Sequence, residues 1–82
     1  MSDRTSPLVA LNTLSLGQKA LIVAFTFDAG QGERIQKMGL VPGEQVEMVR
    51  LASLEGRIEI KVRGYFISLG KEEAERIKVK AL

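Results

Sequence analysis

The clearest pattern in this chain runs from Arg57 to Arg63, where Ile58, Ile60 and Val62 alternate with Arg57, Glu59, Lys61 and Arg63. A strict period of two, apolar on one side and charged on the other, predicts a strand with one buried face and one wet face. Lys19 to Phe27 is richer in β-formers but apolar on both sides. Ala20, Ile22 and Ala24 share one side, and Leu21, Val23, Phe25 and Phe27 share the other. One side belongs in a core, and the other needs cover from this chain or from a partner. In Gln45 to Ala52, Val46 and Met48 share a side while Val49 and Leu51 fall opposite. A β-bulge near Met48 or Val49 would bring both pairs inward. Tyr65 to Leu69, with Phe66 and Ile67 on opposite sides, and Ile77 to Lys80, with Val79 inward, complete five predicted strands.

The punctuation between strands is equally specific. Asp28 to Gly32 is turn chemistry, and Glu33 to Met38 predicts a short helix with Ile35 and Met38 on one face. Gly39 suits the left-handed residue that ends a helix, which places Leu40 to pack back on Ile35 in a Schellman-type cap. Val41-Pro42-Gly43-Glu44 has proline second and glycine third, as a type II turn requires. Gly64 allows a tight reversal. Gly70 can start a helical turn whose first residues, Glu72 and Glu73, favour its positive end, with Ala74 facing inward. Met1 to Ala10 has no periodicity and predicts a loose leader, after which Leu11, Leu14 and Leu16 approach the core. The expected fold is mainly β: a closed, small SH3-like five-stranded barrel with one or two short helices, built from residues 8–82 behind a leader of residues 1–7.

Composition narrows the chemistry. Hydrophobic residues make up 45% and charged residues 27% of 82, which suits one small folded domain. There is no cysteine, so a disulfide scaffold and a thiolate metal site are both excluded. There is no histidine, which removes the commonest general base and transition-metal ligand. The longest apolar run, Ala20 to Phe25, is strand-sized, too short for a bilayer span, and Met1 to Pro7 has no signal-peptide character. A cytoplasmic location is expected. The net charge of +2 is low for a dedicated nucleic-acid binder.

Several constellations invite a site and mostly decline it. Gly30-Gln31-Gly32 precedes a helix but lacks the third glycine, the lysine and the βαβ context of a phosphate loop. Met38 and Met48 fall on core faces, where methionine fills gaps. Glu72, Glu73 and Glu75 form the densest acidic group, yet a solvated helix face accounts for them and no metal site is expected. Arg57, Lys61 and Arg63, grouped with Tyr65, form a basic strand face that Glu59 interrupts. It is the feature behind an alternative function, a nucleic-acid-binding SH3-like barrel. The unexplained apolar residues are Leu54, at the tip of the loop from Ser53 to Gly56, and Leu21, Val23 and Phe25 on the second side of the first strand. These are the candidate partner-binding residues. No nucleophile–base pair and no cofactor motif occurs, so no enzyme and no cofactor are expected.

From Arg34 to Val79 the chain resembles the FeoA family, small cytosolic proteins of bacterial ferrous iron uptake. Arg34-Ile35-Gln36-Lys37-Met38-Gly39-Leu40-Val41-Pro42-Gly43 is similar to the family's helix, glycine cap and Pro-Gly turn. Val46 to Ala52, Ile58 to Val62, Gly64, Phe66-Ile67-Ser68-Leu69, Glu73-Ala74 and Ile77 follow in the family's order. Leu11, Leu14, Gly17 and Ile22 fit its opening more loosely. The family's usual proline-rich hairpin loop is here Ala52-Ser53-Leu54-Glu55-Gly56-Arg57, with the leucine and no proline. The resemblance implies a non-catalytic protein-interaction module. Its partner would be FeoB, the transporter with a cytosolic GTPase domain. The membrane would be reached only through that partner, no nucleic acid would be bound, and the protein would be a monomer or weak homo-oligomer. Transition metal ion binding attaches to the family as a label, and no residue set of this chain carries it.

Overall fold

The computed structural model describes residues 8–51 and 56–82. The leader assigned to residues 1–7 and the loop tip with Leu54 lie outside the described residues. Within them the chain forms β1 (Val9–Ala10), a 3₁₀ turn (Leu11–Thr13), β2 (Lys19–Phe25), α1 (Ala29–Lys37), β3 (Gln45–Arg50), β4 (Arg57–Val62), β5 (Tyr65–Gly70), α2 (Lys71–Glu75) and β6 (Ile77–Ala81). The strands make one antiparallel sheet in the order β1-β6-β2-β3-β4-β5.

The fold is mainly β and SH3-like, but it carries six strands rather than five. The extra strand, β1, is two residues long and pairs Val9 with Val79 and Ala10 with Lys78. Two residues are too few to show periodicity, so this stretch reads as leader in sequence. The sheet is also open rather than closed, since the described residues leave β1 and β5 unpaired with each other. Helical elements fill the gap. Ile35 of α1 and Ala74 of α2 are both fully buried in the same core as Leu11, Ile22, Leu40, Met48, Ile60 and Leu69. α2 packs on the 3₁₀ turn and on β4, β5 and β6.

Local chemistry sets the turns. Asp28 caps α1 by accepting from the Gln31 N–H at 2.9 Å, so the helix starts at Ala29 rather than Glu33. At its end the Gly39 N–H donates to Gln36 O and the Leu40 N–H to Ile35 O, the two bonds of a Schellman cap, with Gly39 at φ +95°. Leu40 and Ile35 are both buried. The Glu44 N–H donates to Val41 O at 3.0 Å and Gly43 lies at φ +94°, which makes the type II turn. The reversal between β4 and β5 has Arg63 and Gly64 both at positive φ, a type I′ hairpin turn. In α2, the Glu73 carboxylate accepts from the Gly70 N–H at 3.0 Å and pairs with Arg34 of α1.

Candidate functional site

Two bulges decide which side chains reach the surface. In β2 the pairing with β6 shifts between Ile22 and Ala24. Ala20 and Ile22 point into the core, Leu21 and Val23 point out, and the extra residue then reverses the phase. Phe25 and Phe27 therefore pack against the core, with ring centroids 6.0 Å apart. The apolar side expected to join Leu21, Val23 and Phe25 is thus not one stripe. Leu21 is half-buried, Val23 is 40% exposed, and Phe25 faces the other way. In β3 the register shifts between Met48 and Arg50, where a bulge is expected. It leaves Val49 half-buried, but Leu51 stays 49% exposed instead of turning inward.

The basic face of β4 is more occupied than its sequence suggests. The Arg57 guanidinium donates to Ser68 Oγ at 3.0 Å and to Ser68 O at 3.3 Å. Arg63 Nε donates to Glu44 at 2.9 Å, and that bond together with the Glu44 charge raises the Arg63 pKa further above its ordinary value. Lys61 sits in a cross-strand row between Glu47 of β3 and Phe66 of β5. Tyr65 does not belong to this face. It pairs with Val62, on the inward phase of β5, and its hydroxyl donates to Met38 O at 3.0 Å. The aromatic beside Lys61 is Phe66, one residue on. A one-residue offset in a strand is enough to move a side chain to the opposite face.

Among the acids, Glu73 is taken up by Arg34 and by the Gly70 N–H. Among the described residues no three acidic side chains come together as a metal-ligand group. An open cleft of about 620 Å³ lies between α1 and α2, where Arg34 and Arg57 face Glu72 and Glu73, a mixed rather than a single-sign lining. No helix of the described residues is long and apolar enough to cross a membrane.

Leu11 and Leu14 are buried as expected, but Leu16, expected to approach the core with them, is at the surface. The Gly17 N–H donates to Met48 O at 2.7 Å, which puts Leu16, 62% exposed, at the same end of β3 as Leu51. Between β2 and β6, Lys80 stands opposite Leu21, and Lys78 opposite Ala24. The alternation Ile77-Lys78-Val79-Lys80 was the available signal for those lysines, because an inward Val79 obliges its neighbours to point out.

The FeoA domain family matches residues 9–81. Solved structures agree. An iron uptake regulatory protein, FeoA, is 28% identical with a TM-score of 0.82, covering 93% of this chain and 99% of that one. An FeoA-like protein from Clostridium acetobutylicum is 27% identical with a TM-score of 0.83, covering 95% of this chain and 91% of that one. A manganese-dependent transcriptional repressor, at 18% identity and a TM-score of 0.86, covers 95% of this chain and 38% of that one, and shares the fold. None of the curated proteins matches. With the match running from the first residue of β1 to the last residue of β6, the chain belongs to the FeoA domain family.

Proposed function

We propose that this protein is a non-catalytic accessory component of bacterial ferrous iron uptake, working in the cytoplasm by docking on the cytosolic part of an FeoB-type transporter. The observation that carries this reading is the FeoA family match across residues 9–81. Iron(II) transport protein A from Clostridium thermocellum, 34% identical with a TM-score of 0.84 over 90% of this chain and 46% of that one, supports the same assignment. Arg63 and Arg34 are committed to ion pairs with Glu44 and Glu73, which favours a structural role for these groups over a reaction centre.

The docking residues on this reading are Leu54 and the exposed leucines Leu51 and Leu16. Such a leucine group buries well against an apolar partner patch and gains little in water. Docking changes transport only if the module binds two transporter states with different affinity. The test is a titration of the transporter's cytosolic part with the full chain and with Leu16→Asp/Leu51→Asp. Saturable binding weakened at least tenfold by the double substitution supports the reading. No affinity in either titration sinks it.

A further inference from the structure

Three neighbouring strands of the sheet, β1, β6 and β2, contain no aspartate or glutamate. Their outward positions carry Lys19, Lys78 and Lys80; Lys19 stands opposite Glu47 of β3, at the border of this face, and among the described residues none of the three lysines forms an ion pair. Lys78 Nζ donates only to the backbone carbonyl of Glu75. Apolar residues lie between the lysines. Leu21 is opposite Lys80, the Val9–Val79 register continues to place Leu8 beside Lys80, and Val23 protrudes at the bulge. Leu8 is 49% exposed.

The character of the cations limits what can sit here. The sheet's arginines, Arg50, Arg57 and Arg63, are on β3, β4 and the turn after β4, where each already has a partner. The β1–β6–β2 face has lysines alone, point charges without the planar fork that reads a carboxylate or a phosphate in one geometry. None of these three strands offers a base an outward aromatic to stack on, since Phe25 packs inward. Spaced ammonium groups around exposed aliphatic side chains fit a surface of diffuse negative charge with hydrocarbon just beneath it.

We propose that this face docks directly on an anionic phospholipid membrane, with the three lysines at the level of the phosphates and Leu8 and Val23 entering the headgroup layer. Membrane contact is then a property of the chain itself and not only of its attachment to a transporter, and it does not depend on that reading.

The test is co-sedimentation of the full chain with vesicles of phosphatidylcholine alone and of phosphatidylcholine with phosphatidylserine. Binding is expected only to the second, and is expected to vanish near 1 M salt, where the screening length is about 3 Å. Lys78→Gln/Lys80→Gln should lower the partition about fivefold per lysine, roughly thirtyfold together. Lys37→Gln/Lys71→Gln removes equal charge elsewhere and should leave it nearly unchanged. Leu8→Ser/Val23→Ser should weaken binding with the salt dependence retained. Equal binding to both vesicles, no binding to either, or equal loss in the two lysine pairs would overturn the proposal. So would polyglutamate binding that needs Lys78 and Lys80 while vesicles are ignored, since the partner would then be an acidic polypeptide. Capture of the transporter in zwitterionic detergent, unaffected by Lys78→Gln/Lys80→Gln, separates this outcome from the fate of the docking reading.

Discussion

The Tyr65 hydroxyl, in donating to the Met38 carbonyl at 3.0 Å, stands over Gly39 so closely that a Cβ there would collide with it. Gly39 thus answers to two constraints, a positive φ of +95° and the approach of a side chain from β5. Together they tie the end of α1 to the edge of the sheet, across the side on which the sheet is open.

The two constraints are separable by a double-mutant cycle. Gly39→Ala meets the left-handed penalty of about 1–2 kcal/mol and the collision as well. Tyr65→Phe alone loses one hydrogen bond, about 1 kcal/mol. In the Tyr65→Phe background the collision is gone, because the next ring atom lies 3.6 Å from the added Cβ. Gly39→Ala should therefore cost less there, with a coupling of about 0.5–3 kcal/mol, read from urea midpoints of the four proteins. Strict additivity would mean that Tyr65 does not constrain Gly39.

The cap of α2 makes a second, smaller prediction. Glu73 accepts from the Gly70 N–H and pairs with Arg34, but Arg34 is largely exposed, so solvent screens the pair. Most of Glu73's contribution then comes from the hydrogen bond. Glu73→Ala should cost about 1 kcal/mol, and Glu73→Gln, which keeps an acceptor, only a few tenths. Chemical denaturation of both variants decides it. An equal loss in the two would place the stabilisation in the ion pair instead.

What sequence made legible, and what it did not, divides along a physical line. The Schellman cap at Gly39, the type II turn at Pro42-Gly43 and the alternation of Ile58, Ile60 and Val62 are encoded within a few adjacent residues, and each is present as expected. The open edge, the two-residue β1 and the true face of Tyr65 depend on residues far apart in the chain. So does the bulge at Val23, which no glycine or proline marks. It turned an apparent apolar stripe of Leu21, Val23 and Phe25 into two outward residues and one that packs on the core. The bulge at Val49 could be placed because the apolar pattern changes phase there, yet its effect on Leu51 could not.

The pH response is expected to be flat near neutrality. The chain has neither histidine nor cysteine, and the Arg63 pKa is raised by the Glu44 bond. A raised folded-state value gives a contribution that is complete below the unfolded value and is lost only as pH rises through the folded one. For an arginine that window lies far above physiological pH. Denaturation midpoints between about pH 6 and pH 9 should therefore coincide closely. A steep slope in that range would reveal a titrating group that these interactions do not contain.

Both bulges should tolerate deletion of their extra residue. Without Val23, Ala24 follows Ile22 directly and stays opposite Lys78, and Phe25 stays opposite Ile77, so Phe25 and Phe27 keep their inward phase. Without Val49, Arg50 follows Met48 and stays opposite Glu59, and the register is again regular. Each deletion removes one valine side chain and straightens the strand, but moves no core residue to the surface. Both variants should therefore keep a cooperative thermal transition, with melting temperatures lowered modestly. Loss of the transition on deletion of Val23 would mean that the bend of the bulge, and not only the phase it sets, seats the two phenylalanines against the core.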